Sequence, residues 1–134
     1  MGLPTNVLAV MAGGAFGALA RYSVTVTVQE RLLQTPFAGL PVATLLVNVT
    51  GSFLLAFLAT LAFQGRLGGV WLLALGTGFC GAFTTFSTFE LDADGLLKSG
   101  QVGATLLYLG GNLFLGYGAL LLGQVAGNRA SGLF

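Results

Sequence analysis

The chain has 134 residues, of which 55% are hydrophobic and only 7% charged. Soluble domains carry about 25% charged residues, so there is too little charge here to cover a water-facing surface. A net charge of +1, no His and a single cysteine, Cys80, exclude a nucleic-acid partner, a His or Cys zinc cluster and an intrachain disulfide as readings of this sequence.

Asp, Glu, Lys and Arg are missing from residues 1–20, 32–65, 67–89 and 99–128. A membrane-spanning helix needs roughly 20 mostly apolar residues, so the four runs predict four spans. They leave little over for a second domain, and residues 1–134 read as one transmembrane domain. The first run lacks the basic leader of a signal peptide, since Arg21 follows the apolar stretch, and it reads as a retained helix. Helix 1 is expected over 6–29, after Pro4. A loop follows over 34–40, punctuated by Pro36 and Gly39. Helix 2 starts near Pro41, where a missing N–H costs nothing, and ends near Phe63. The Gly-rich loop 64–69 leads to helix 3 over 70–97. Ser99–Gly100 then leads to helix 4 over 101–126.

Lys and Arg barely favour either membrane side. With four spans, Arg66 and Arg129 share one side. Arg31 and Lys98 lie on the other, with Arg21 towards the same end of helix 1. Either a few charges sample the bias poorly, or the chain inserts both ways and pairs antiparallel. Gly13/Gly17, Gly14/Ala18 and Gly123/Gly127 have the small-xxx-small spacing that lets helices approach closely in lipid. They imply a tight bundle and favour an oligomer.

Polar side chains inside the spans carry the functional signal, because each is costly in hydrocarbon unless it faces a partner or a path. Helix 2 carries Asn48. Helix 4 carries Tyr108 and Asn112, four apart on one face. Helix 3 is the densest, with Gly76, Gly78 and Gly81 upstream of Thr84, Thr85, Ser87 and Thr88. Glycine and β-branched threonine both disfavour helix, so helix 3 is expected to break at its centre. Unwound carbonyls there could hold a cation, and a half-helix N-terminus could face an anion. The alternative is a packing seam with back-bonded hydroxyls. Phe86 and Phe89 share a face if the following segment is helical, and their ring edges carry partial positive charge.

These residues fall into three ordered motifs. Gly13-Gly-Ala-Phe-Gly-Ala-Leu-Ala-Arg-Tyr22 is a glycine pattern closed by Arg and an aromatic. Thr44-Leu-Leu-Val-Asn-Val-Thr-Gly-Ser-Phe53 and Gly78-Phe-Cys-Gly-Ala-Phe-Thr-Thr-Phe-Ser-Thr-Phe89 follow. Together they resemble the Fluc/CrcB family of fluoride channels over nearly the whole chain. The resemblance implies an all-α membrane protein whose four helices form an antiparallel, dual-topology homodimer in the cell's inner (plasma) membrane. It implies two pores and passive export of fluoride. It implies a structural Na+ at the dimer centre, held by the backbone at Gly81 and Thr84. Phe86 and Phe89 would line the pores, and Asn48 would donate a hydrogen bond there. Ser87, Thr88, Tyr108 and Asn112, which can still donate, would form a polar track. Arg21 would draw anions to a vestibule.

The sequence departs from the family pattern at Ala82, where a second glycine is usual, and at Asn112 and Gly116, where serine is common. The polar track is therefore expected to end before Gly116. Glu90 and Asp92 also depart, and no role is carried over to them. Asp94 and Lys98, four apart, read as an ordinary helix pair. Two rival functions remain at this stage. A proton-coupled exporter would need a deep ionisable group, for which Glu90 is the candidate. An assembly subunit would use the polar residues only to bind helices together. An enzyme is not expected, because no nucleophile–base pair can be placed together.

Overall fold

The computed structural model describes residues 2–132 and is all-helical among them. Helix α1 spans Leu3–Leu32 and α2 spans Val42–Phe63. The third span runs over Gly69–Lys98 in two pieces. Its first piece, α3, covers 69–83, and its second, α4, is Ser87–Lys98. Helix α5 spans Val102–Ala130. All four spans are long and apolar enough to cross a bilayer. Most of their large apolar side chains, such as Phe16, Leu107 and Phe114, face outward, as a lipid-facing surface requires.

Helix α1 is three residues longer than expected at each end and takes in Pro4. Proline is tolerated in a first turn because the N–H it lacks has no partner there anyway. Helices α2 and α4 both end in paired backbone bonds closed by a left-handed glycine. Gly65 (φ 70°) and Gly100 (φ 77°) occupy these positions. Arg66 N–H reaches Leu61 C=O at 2.8 Å, and Gln101 N–H reaches Leu96 C=O at 3.0 Å. These bonds satisfy carbonyls that a helix end otherwise leaves open.

Two parallel pairs make the bundle. Helix α1 lies along α3, with Gly13 and Gly17 against the backbone carbonyls of Ala74 and Phe79. From the other side, a Cβ on Gly78 would sit 2.7 Å from the Val10 carbonyl oxygen. Helix α2 lies along α5, where Gly123 rests on the Phe53 carbonyl and Gly127 on Thr60. Gly13/Gly17 and Gly123/Gly127 thus make the tight bundle that the small-xxx-small spacing implies, whereas Ala18 of the third pair is exposed.

Within α3, Leu73–Cys80 is wound as a π-helix, flanked by ordinary turns at Gly69–Leu72 and Gly81–Phe83. Such winding is rare, and its wider turn goes with the absence of side chains at Gly76 and Gly78. The helical path then stops. Thr84 is extended (φ −82°, ψ 162°), and α4 begins only at Ser87. The third span is therefore broken close to its midpoint, as the Gly/Thr run predicts. Ala82 does not prevent the break, because it lies in the last turn before it.

Candidate ion pathway at the helix break

Asn48 holds the break open. Its Oδ1 accepts the Thr85 N–H at 2.8 Å, and its Nδ2 donates to the Thr85 carbonyl at 3.1 Å. The same Nδ2 donates to Asn112 Oδ1 at 3.0 Å. In a continuous α-helix the Thr85 N–H would bond the Gly81 carbonyl. The Thr88 N–H, which would bond the Thr84 carbonyl, goes instead to Thr85 Oγ1 at 3.2 Å. Gly81 and Thr84 are thus among the carbonyls that lose their helical donors, as are Ala82 and Phe83, for which no bond from the Phe86 or Ser87 N–H is made. Thr84 makes its own back-bond, Oγ1 to the Cys80 carbonyl, at 2.9 Å.

A second cluster lies one helical turn beyond the break. Asp92 Oδ2 accepts the Thr44 hydroxyl at 2.7 Å and the Tyr108 hydroxyl at 3.1 Å. One carboxylate oxygen therefore ties α2, α4 and α5 together. Asn112 Nδ2 donates to the Tyr108 carbonyl at 3.0 Å, which joins this cluster to the Asn48 cluster. Phe89, only 6% exposed, packs its ring 5.4 Å from Tyr108 and 5.6 Å from Phe86. Phe86 is 69% exposed and stands at the open side of the break, beside exposed Gly81, Ser87 and Thr88.

A cavity of about 810 Å³ opens towards the 33–41 connection, between α1, α2 and the break. Arg21, Thr25, Thr44, Thr85, Thr88 and Asp92 contribute to its lining. The structure thus gathers Asn48, Phe89, Thr88, Tyr108 and Asn112 around one polar seam, and places Arg21 in the cavity leading to it. Glu90 is exposed and lines neither described cavity.

Thr44, Thr85 and Asp92 are the site residues that sequence reasoning missed. An ionisable side chain inside a span was the available signal for Asp92. Asp94 and Lys98 form the expected pair at 2.6 Å, with both side chains exposed.

The sequence model of the family described as CrcB-like protein, Camphor Resistance (CrcB), matches residues 8–124. The chain belongs to the CrcB-like family. A relative from Acidobacterium capsulatum named Fluoride-specific ion channel FluC is 49% identical over 118 residues, which is 87% of this chain and 91% of that protein. A Deinococcus radiodurans protein of the same name is 46% identical over 87% of this chain and 90% of its own length. One from Thermus thermophilus is 42% identical over 93% and 97%. These CrcB-like relatives are named as ion channels, not enzymes, and the four spans make the present chain a multi-pass membrane protein of that channel family.

Proposed function

We propose that this CrcB-like chain is a fluoride-selective channel for passive export of cytoplasmic fluoride across the cell's inner (plasma) membrane. On this reading the whole chain acts as one channel domain, and two copies pair antiparallel to form two pores. The observation that carries the reading is the break itself. It leaves the Gly81 and Thr84 carbonyls without helical donors and starts α4 at Ser87, deep within the span. The relatives' names supply the ion.

Gly81, Phe86, Ser87 and Thr88 are exposed beside unwound backbone. At membrane depth such backbone is tolerated only where protein or water covers it. A second copy related by a two-fold axis through the break is the covering that fits. Gly81 and Thr84 offer two of the freed carbonyls of one chain, and a pair of chains offers four from these positions, all hard oxygen ligands suited to Na+. The donor set therefore fits a structural sodium ion, whose chemistry would be to hold the two breaks together and leave positive charge near the pores. The C-terminal end of α3 adds partial negative charge on the cation side of the break. The N-terminus of α4 presents N–H groups and partial positive charge on the anion side.

Fluoride is small and strongly hydrated, and it must exchange water for donors to pass. Arg21 is the one cation among the described residues lining the cavity and would offset part of the repulsion that Glu30 and Asp92, also in its lining, exert on an entering anion. Ser87, Thr88 and the second amide hydrogen of Asn112 are the donors nearest the break. Asn48 keeps the path aligned through Thr85 and can lend a donor by releasing Asn112. Tyr108 gives its hydroxyl proton to Asp92 and bounds the track, donating to the ion only by releasing that bond, and Phe86 and Phe89 offer ring edges to the partly dehydrated ion. No full positive charge lies in the seam, which favours release as well as entry. Liposome efflux of Phe86→Ile and Asn48→Asp, read with a fluoride electrode, tests the assignment. Both variants are expected to elute as the wild type does and to conduct more slowly. Wild-type rates in both would contradict the pore roles of these residues.

A further inference from the structure

A second cavity, of about 850 Å³, lies between the far ends of α2 and α5 and includes Ser52, Thr60, Gln64, Gln124 and Asn128 in its lining. Asn48 bonds Asn112, and Gln64 bonds Asn128 at 2.7 Å, so the two helices run parallel between these levels. The sixteen-residue separation from Asn48 to Gln64 puts the amide pair about 24 Å along the helix from the break. This cavity therefore opens at the membrane face opposite the Arg21 cavity.

Three features bear on it, the first calling for water and the other two suiting a hydrated anion. Gln64 Oε1 is buried without a hydrogen-bond partner. An orphaned acceptor in an apolar setting is costly, and Leu55, Ala56, Ala59, Phe63 and Leu120 make much of this lining apolar, so water entering the cavity is the partner it calls for. Next, Ser52 stands one turn beyond Asn48, with its Oγ 3.8 Å from where a Cβ of Gly116 would be. Gly116 is one turn beyond Asn112, so α2 supplies a hydroxyl at the level where α5 has no side chain. Last, Arg66 and Arg129 follow Gln64 and Asn128 closely in sequence, and every acidic side chain lies elsewhere, at Glu30, Glu90, Asp92 and Asp94.

We propose that this cavity is the second mouth of the conduction path, where Ser52 and the amides of Gln64, Gln124 and Asn128 return water to the small hydrogen-bond-accepting anion. The proposal rests on the fluoride-channel reading. It also extends the polar track past Gly116, where the sequence alone ends it. The linked amides of Gln64 and Asn128 can rotate together, so either an N–H or a carbonyl oxygen can face the cavity.

The test is fluoride efflux from liposomes by the wild type, Ser52→Ala and Ser52→Ala/Gly116→Ser. Ser52→Ala should slow efflux about fivefold, the factor for one net hydrogen bond, and the added Gly116→Ser hydroxyl should restore most of the rate. In parallel, Gln64→Cys is reacted after reconstitution with a water-soluble, negatively charged thiol reagent. Cys80 is 1% exposed and stays out of its reach. Labelling should block efflux. Wild-type rates in Ser52→Ala, or a Gln64→Cys thiol that does not react or reacts without loss of rate, would overturn the second mouth. A wild-type protein that holds its fluoride would instead overturn the channel reading beneath it.

Discussion

Asn48 is the residue on which the geometry of the break depends most. It accepts the Thr85 N–H and donates to both the Thr85 carbonyl and Asn112, so Asn48→Ala leaves three buried polar groups without their partner. Interhelical hydrogen bonds in membranes average about 0.6 kcal/mol, so the loss should approach 2 kcal/mol. A lowered midpoint of unfolding in mild detergent, beside slowed fluoride efflux, is the expected result. An unchanged midpoint would show that the three bonds are replaced. The importance of Asn48 is legible in the sequence because an amide stands alone in an apolar run. The role of Asp92 is not, because nothing in the local pattern says that Thr44 and Tyr108, 48 and 16 residues away, converge on one of its oxygens.

At the level of elements, two helices are fitted backbone to backbone. A methyl group on Gly17 would run into the Phe79 carbonyl, whereas one on Gly118 would meet nothing within 4 Å. Gly17→Ala should therefore cost about 1–3 kcal/mol through overpacking. Gly118→Ala should leave stability unchanged or slightly raised, since alanine is the better helix former. Comparing the two unfolding midpoints checks this, and equal midpoints would contradict the tight α1–α3 contact. The four spans and the broken third were legible in run length and in the crowding of Gly and Thr. The π winding of Leu73–Cys80 was not, because glycine spacing weakens a helix without specifying how it rewinds. Nor does small-residue spacing say whether its partner is in the same chain. Here Gly13, Gly17, Gly123 and Gly127 all find theirs within it.

As a whole, the molecule shows an apolar exterior interrupted by exposed Gly81, Ser87 and Thr88 at the break, and a nearly even placement of Lys and Arg. The first leaves the break open to a second copy and the second permits insertion in either sense, as the proposed antiparallel pair requires. Arg66→Cys, placed in the exposed loop after α2, should then react with an impermeant thiol reagent from both sides of sealed vesicles, about half from each. Labelling from one side only would contradict dual topology while leaving the fold intact. The central claim concerns the ion. The most direct measurement is efflux from sealed liposomes carrying the wild-type protein in sodium-containing buffer, with equal gradients of fluoride and of chloride. The account predicts rapid loss of fluoride and retention of chloride. Fluoride retained under its gradient, or chloride released as fast, would contradict it.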